Sequence, residues 1–223
     1  MTAASFRQLC LDANDVEAMG RFWGAALGLQ SERRDEEVLL RGPTPQHSVW
    51  VEPVPEPVTV KQRVHLDVNA RGVDDVLALG ATPVDLDSFK WRVLKDPEGG
   101  ELCVFEREEV GDYRLYEVVV DSVDPVRIAI WWGDVLGGTV QHEDEWSWVE
   151  GVAGMPFDAL VFGWVPEPKT VKNRIHWDVT TPDLGLLTGA GATVLREPDD
   201  SIDWTVLADP EGNEFCAVVE EGV

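Results

Sequence analysis

Lys61-Gln62-Arg63-Val64-His65-Leu66-Asp67-Val68 and Lys172-Asn173-Arg174-Ile175-His176-Trp177-Asp178-Val179 are one pattern written twice. In an extended strand successive side chains point to opposite faces. Arg63, His65 and Asp67 therefore share one face, and Val64, Leu66 and Val68 the other. The second stretch repeats this with Arg174, His176 and Asp178 against Ile175, Trp177 and Val179. The apolar face must pack under helices, so the polar row looks away from them, into solvent or a polar concavity. The row reads equally well as a ligand-binding face and as a salt-bridge row that braces a sheet.

Working outward, three further blocks recur in the same order. Phe22-Trp23-Gly24-Ala25-Ala26-Leu27-Gly28 matches Trp131-Trp132-Gly133-Asp134-Val135-Leu136-Gly137, and Leu79-Gly80-Ala81-Thr82 matches Ala190-Gly191-Ala192-Thr193. Asp96-Pro97-Glu98-Gly99 through Cys103 matches Asp209-Pro210-Glu211-Gly212 through Cys216. The offset drifts only from 109 to 113. The chain is thus two copies of an α+β unit of about 110 residues, over 1–109 and 114–223, joined by the charged stretch Glu108 to Arg114.

Each copy opens with a strand, Leu9 to Asp12 or Tyr116 to Asp121, and a helix follows. Asn14 with Glu17 three residues on has the form of a capping box, and Asp124-Pro125 puts proline at the first helical position. Val16, Met19, Trp23, Ala26 and Leu27 recur at helical spacing, and Gly28 suits a left-handed helix end. Two or three short strands end near Trp50-Val51-Glu52 and Val161 to Trp164. A Pro-rich crossing leads to the Arg-x-His-x-Asp strand, then a short helix, Val73 to Leu79. Two final strands, around Trp91 to Leu94 and Leu102 to Glu106, are joined by the Asp-Pro-Glu-Gly turn. Each copy divides in two, so the chain holds four modules.

Composition limits the partners. The 223 residues include 42 acidic and 18 basic side chains, a net charge of −24, with most of the excess after Asp112. Such a field repels phosphate backbones and excludes nucleic acid, while it attracts cations; it also serves solubility. No apolar run approaches the roughly 20 residues of a membrane helix, and Met1 to Arg7 lacks the features of a signal peptide, so a cytoplasmic setting is expected. Cys10, Cys103 and Cys216 are too scattered for a disulfide framework and are expected as reduced thiols.

Cys103 shares a strand face with Glu101, and Cys216 with Glu214. Thiolate, carboxylate and imidazole together suit zinc or a similar divalent ion, although a free cysteine also serves as a small buried hydrophobe. No serine elbow, phosphate-cradling Gly loop or HExxH pattern is present. Of ten tryptophans, Trp23, Trp131 and Trp132 fall on helices and belong to the core. Trp50, Trp91, Trp146, Trp148, Trp164 and Trp204 fall on strands, where half should face inward and offer aromatic walls to flat or cationic molecules.

Phe22-Trp23…Leu27-Gly28, Arg63-x-His65-x-Asp67, Leu79-Gly80-Ala81 and Asp96-Pro97-Glu98-Gly99…Cys103 resemble the vicinal oxygen chelate superfamily. That superfamily includes glyoxalase I, bleomycin resistance proteins and extradiol dioxygenases. The match is nearest to its glyoxalase-like domains, once per copy. The resemblance implies four βαβββ modules in two tandem domains. Their mixed sheets would curl into cups with helices outside, each cup built from modules of both copies. Metal-dependent members take ligands from the first, fourth, fifth and eighth strands. Carried onto this chain, one cup would hold Gln8, Glu52, His176 and Cys216. The other would hold Glu117, His65 and Cys103, with Gly163 at the fourth position. Cysteine stands where the metal enzymes usually have glutamate.

Three functions follow as expectations. The first is a binding protein for a small organic molecule, cationic or planar, held in acidic cups by Trp50, Arg63, Asp67, Trp164, Arg174 and Asp178. The second is a metal-dependent isomerase, lyase or dioxygenase using zinc, nickel, iron or manganese on the Glu52-containing cup. A metal-free enzyme using the Arg-His-Asp row for proton transfer is a third. Because the duplication supplies the pairing within one chain, a monomer suffices, and a dimer is also compatible. The Glu52 cup is the first place to look.

Overall fold

The computed structural model describes residues 2–220. The first copy runs β1 (Ser5–Ala13), α1 (Val16–Leu27), β2 (Gln30–Arg34), β3 (Glu37–Arg41) and β4 (Val49–Pro53), then β5 (Val64–Ala70), α2 (Val73–Leu77), β6 (Thr82–Asp85), β7 (Arg92–Lys95) and β8 (Glu101–Glu106). The second runs β9 (Leu115–Ser122), α3 (Pro125–Leu136), β10 (Thr139–Glu143), β11 (Trp146–Glu150) and β12 (Ala159–Trp164), then β13 (Ile175–Thr181), α4 (Leu184–Gly189), β14 (Thr193–Arg196), β15 (Thr205–Ala208) and β16 (Glu214–Val219). These are four βαβββ modules. The strands β6 and β14, absent from the pattern-based reading, complete the second and fourth; both are four residues long and largely exposed, so they carry little apolar alternation. No helix among the described residues is long and apolar enough to cross a membrane.

The modules pair across the copies. One eight-stranded sheet has the order β14-β15-β16-β13-β1-β4-β3-β2, and the other β10-β11-β12-β9-β5-β8-β7-β6. The joints are antiparallel: Cys10 opposes His176 where β1 meets β13, and His65 opposes Val119 where β5 meets β9. Within each half, β1 runs parallel to β4 and β13 parallel to β16. Alternation sorts the two faces as the strand patterns require. Val64, Leu66, Val68, Ile175, Trp177 and Val179 join one continuous core with Trp23 and Trp132, both fully buried on the helices. Burying a side chain of this size contributes about 2–3 kcal/mol, so this face decides the register.

Modules of the same copy meet through helices and turns instead. In α3, Trp132 packs against Trp177 and Phe215, with ring centroids 4.8 and 5.1 Å away, and its Nε1 donates to Asp209 at 3.1 Å. The Asp-Pro-Glu-Gly turns form as expected: Asp96 accepts from the backbone N–H of Glu98 and Gly100, and Gly99 takes φ +90°. The turn glutamates then reach the start of the long helix in the same copy. Glu98 accepts from the N–H groups of Asn14 and Asp15, and Glu211 from Asp124 N–H and the Ser122 hydroxyl. Glu98 also receives Arg174 at 2.7 Å, which ties in the other copy.

The capping-box reading at Asn14 is corrected. Asp15 is the cap, accepting from Ala18 N–H, and Asp124 plays that part in α3. Asn14 is committed elsewhere, since its amide donates to the carbonyls of Val54 and Glu56 and pins the Pro-rich crossing. Gly28 ends α1 with φ +73°, and a Cβ there would lie 1.7 Å from the Asp112 carbonyl oxygen. The join between copies therefore lies directly on the helix end, where Arg114 N–H also donates to the Leu27 carbonyl.

Glu98→Ala removes the acceptor of two backbone N–H groups and of a largely buried guanidinium. It should cost about 2 kcal/mol, measured by urea unfolding against the exposed control Glu109→Ala, which should be neutral.

Candidate functional site

Each sheet curls its polar face around a cavity, and the two cavities differ. The Glu52 cup, about 730 Å³, takes Gln8 and Cys10 from β1, Trp50 and Glu52 from β4, His176 and Asp178 from β13, and Cys216 from β16. The Glu117 cup, about 660 Å³, takes His65 and Asp67 from β5, Cys103 and Phe105 from β8, Tyr116, Glu117 and Val119 from β9, and Gly163 and Trp164 from β12. Most of these positions follow from alternation along strands whose other face is core; Tyr116, next to Glu117, enters at the irregularity in the β5–β9 register, and Trp164 is the last residue of β12. Strand register makes Cys10 and Val119 equivalent, as it does Gln8 and Glu117.

In the Glu52 cup, Gln8 is held at both ends. Its Nε2 donates to Asp178 at 2.8 Å, and its Oε1 accepts from Trp50 Nε1 at 3.2 Å. Cys216 Sγ lies 3.5 Å from His176 Nε2, His176 Nε2 lies 3.7 Å from Asp178, and Cys10 Sγ lies 3.6 Å from Asp178. Cys10, His176 and Asp178 hold one donor atom each within 4.8 Å of the others; Glu52 is not among these close donors. Burial, reinforced by Asp178, pushes the Glu52 carboxyl up to about 7. Burial likewise raises the Cys10 and Cys216 thiols and lowers His176, so without a partner ion the thiols stay protonated and the imidazole neutral.

The Glu117 cup repeats the centre of this arrangement. Cys103 Sγ lies 3.6 Å from His65 Nε2, which lies 3.3 Å from Asp67. Around it the walls are aromatic. Phe89 stacks on Trp91 at 5.1 Å with the planes 7° apart, Trp91 stacks on Phe105 at 5.7 Å, and Phe105 meets Tyr116 edge-on. Trp146, Trp148 and Trp164 form the opposite wall. Gly163, where the first copy has Glu52, is what admits this wall: a Cβ there would lie 2.5 Å from the Trp146 ring. Burial first, and Asp67 second, push the Glu117 carboxyl up to about 7.

The sequence-derived candidates divide between these cavities and the seam. Trp50 and Asp178 line one cup, and Trp164 and Asp67 the other. Arg63 and Arg174 line neither cup but a cleft between the crossings. Arg63 donates to the carbonyls of Glu167 and Asp121, and Arg174 to the Glu56 carbonyl and the Glu98 carboxylate. They lock the two crossings together. Cys10 was readable, being two residues beyond Gln8 on the same strand face. Phe89, on the loop before β7, carries no periodic signal.

A family model described as glyoxalase-like domain matches residues 8–105 and again 117–218. No curated protein matches the chain. Among solved structures, glyoxalase I from Zea mays is similar over 97% of this chain and 92% of its own, with a TM-score of 0.66 and 14% identity. A putative dioxygenase from Bacillus subtilis is similar over 99% of this chain and 86% of its own, with a TM-score of 0.67 and 12% identity. The cppA protein from Streptococcus pneumoniae is similar over 97% of this chain and 100% of its own, with a TM-score of 0.53 and 13% identity. At these identities the likeness is one of fold.

The Glu117 carboxyl sits at about 7 in the folded chain against an ordinary 4.5. The folded state therefore holds the extra proton between those values, and stability falls as pH rises through that window. Thermal unfolding from pH 4.5 to 8 should show the decline in the native protein and a shallower one in Glu117→Gln.

Proposed function

The chain belongs to the glyoxalase-like domain family of the vicinal oxygen chelate superfamily, and from that premise we propose that it binds a small, planar, cationic organic molecule in the Glu117 cup. One observation carries the reading: aromatic walls on both sides of the cavity, with Asp67, Glu101, Glu117, Asp121, Glu143 and Asp144 around them. The one lysine there, Lys61, is engaged with Asp121 at 2.6 Å. A cation over a tryptophan face gains about 0.5–2 kcal/mol, more as water is excluded. A cavity of about 660 Å³ suits a drug-sized ligand. The net charge of −24 adds long-range attraction for a cation. The Glu52 cup, by contrast, has Trp50 and Trp204 as its aromatic lining.

The metal-dependent alternative fares less well on the residues present. Gln8, its first-strand ligand, has its oxygen taken by Trp50 and its amide nitrogen by Asp178. The eighth strand offers the thiols of Cys216 and Cys103 in place of a carboxylate, and Glu52 stands apart from the close donors. The set does not fit the four-ligand oxygen-and-nitrogen site of those enzymes, so no reaction step is assigned to it. Three unbridged buried thiols agree with a cytoplasmic setting, and both cups are complete within one chain.

Tryptophan fluorescence titration with proflavine, a planar cation, tests the reading against an anionic anthracenesulfonate. Proflavine should bind, and more weakly as salt rises. Trp146→Ala and Trp91→Ala should each weaken it about 5- to 30-fold, the equivalent of about 1–2 kcal/mol, while Trp50→Ala leaves it unchanged. Equal binding of the anion, or a loss confined to Trp50→Ala, contradicts the assignment.

A further inference from the structure

Each cup has an aspartate at its centre, and only one of the two aspartates is given donors by the protein. In the Glu52 cup, Asp178 accepts from Gln8 Nε2 at 2.8 Å and from the Cys10 thiol at 3.6 Å. Across the β5–β9 joint, Glu117 stands at the position of Gln8 and Val119 at that of Cys10. Both donors are gone, and one has become a second carboxylate. Asp67 is only 4% exposed, lines the cup, and its Oδ1 has no hydrogen-bond partner among the described residues. His65 Nε2 lies 3.3 Å from it without a hydrogen bond. Asp67 and Glu117 oppose each other directly in an antiparallel pair, where Cα atoms stand about 4.5–5.5 Å apart. Like charges so placed repel, more strongly where water is excluded. No lysine or arginine among the described residues pairs with either carboxylate. Lys61 is held by Asp121, and Arg107 lies over the Phe105 and Tyr116 rings. The Tyr116 hydroxyl gives Glu117 one neutral donor, while Asp67 Oδ1 keeps none.

We propose, on the footing that this cup takes a planar cation, that the ligand carries its charge on N–H groups, as a primary ammonium or an amidinium, and seats them between Asp67 and Glu117. The ligand class is thereby narrowed by hydrogen bonding rather than by charge. A quaternary ammonium gains the same attraction to a tryptophan face but donates no hydrogen bond. An N–H cation adds charge-assisted hydrogen bonds to both carboxylates, each about twice as strong as a neutral one. It supplies the donor that Gln8 supplies in the other cup, together with the positive charge that the pair lacks. The layout of the sheet suits such a molecule. Strands β9 and β5 are the two middle strands of the eight, so the carboxylates lie on the floor of the cup. Trp91 precedes β7 on one side and Trp146 begins β11 on the other, so the aromatic surface rises toward the two rims.

Isothermal titration calorimetry of the full-length protein with 2-naphthylmethylammonium and its N,N,N-trimethyl derivative tests this at pH 8, above the Glu117 value of about 7. The two probes share ring and charge and differ in N–H groups alone. The primary ammonium should bind about tenfold more tightly or better. Glu117→Gln, whose amide can donate to Asp67 as Gln8 does to Asp178, should erase that preference. Asp67→Asn, on the opposing strand, should do the same and covers the case in which the first variant misfolds. Glu109→Ala, which removes one charge outside the cup, should keep it. Equal binding of the two probes by the native protein, or a preference that survives in both folded variants, overturns this inference and leaves the cup assignment standing. Binding of neither probe overturns both.

Discussion

Two antiparallel strand contacts, β1 with β13 and β5 with β9, carry this architecture, because each is where one copy continues its sheet with strands of the other. A lone copy would expose a row of unpaired backbone groups along β1 and another along β5, and half a cavity beside each. The second copy satisfies both edges at once and completes both cavities. The remaining inter-copy contacts follow from that exchange: Arg63 and Arg174 fasten the crossings, and Arg174 reaches the Glu98 carboxylate that already holds the start of α1. The Asp-Pro-Glu-Gly turn is therefore a fastening between modules as well as a hairpin connection.

Duplication on such a scaffold frees the cups to diverge without disturbing the core. Many residues that agree between copies face the helices or make turns, as Trp23 and Trp132 or Asp96 and Asp209 do, while His, Asp and Cys at the centre of each cup also agree. The cups differ around that shared centre. Glycine for Glu52 removes a carboxylate and a Cβ together, and the Trp146 ring occupies the cleared space. Valine for Cys10 removes a thiol beside an otherwise similar His-Asp-Cys group. One cup thus concentrates aromatic surface around carboxylates, and the other concentrates sulfur, nitrogen and carboxylate donors.

The repeat, the four modules and the inward face of each strand were legible because apolar burial enforces period-two alternation, and every cup residue on β5 and β13 obeys it. Legibility failed where one side chain had several good uses. Asn14 and Asp15 are both competent caps, and only the nearby crossing, with its free carbonyls at Val54 and Glu56, decides that Asn14 goes elsewhere. Arg63 and Arg174 begin the polar row, yet they sit just ahead of β5 and β13, where a long side chain turns to the seam. The strands β6 and β14 are too short and exposed to leave a pattern. The Phe89 stack is set by the loop before β7, and no local rule in the sequence announces it.

Cross-copy pairing is the claim on which both cups rest, and a cross-link in the intact chain tests it most directly. Ser5 opposes Thr180 across the β1–β13 joint, and Asn69 is the first-copy equivalent of Thr180. Directly opposed antiparallel residues stand about 4.5–5.5 Å apart, within the range a disulfide spans. Ser5→Cys combined with Thr180→Cys should oxidise to an intramolecular bridge, seen as a faster-migrating monomer on non-reducing electrophoresis. Ser5→Cys combined with Asn69→Cys should remain reduced. The opposite outcome, a bridge to position 69 and none to position 180, would mean that each copy closes its own cup and would contradict the account.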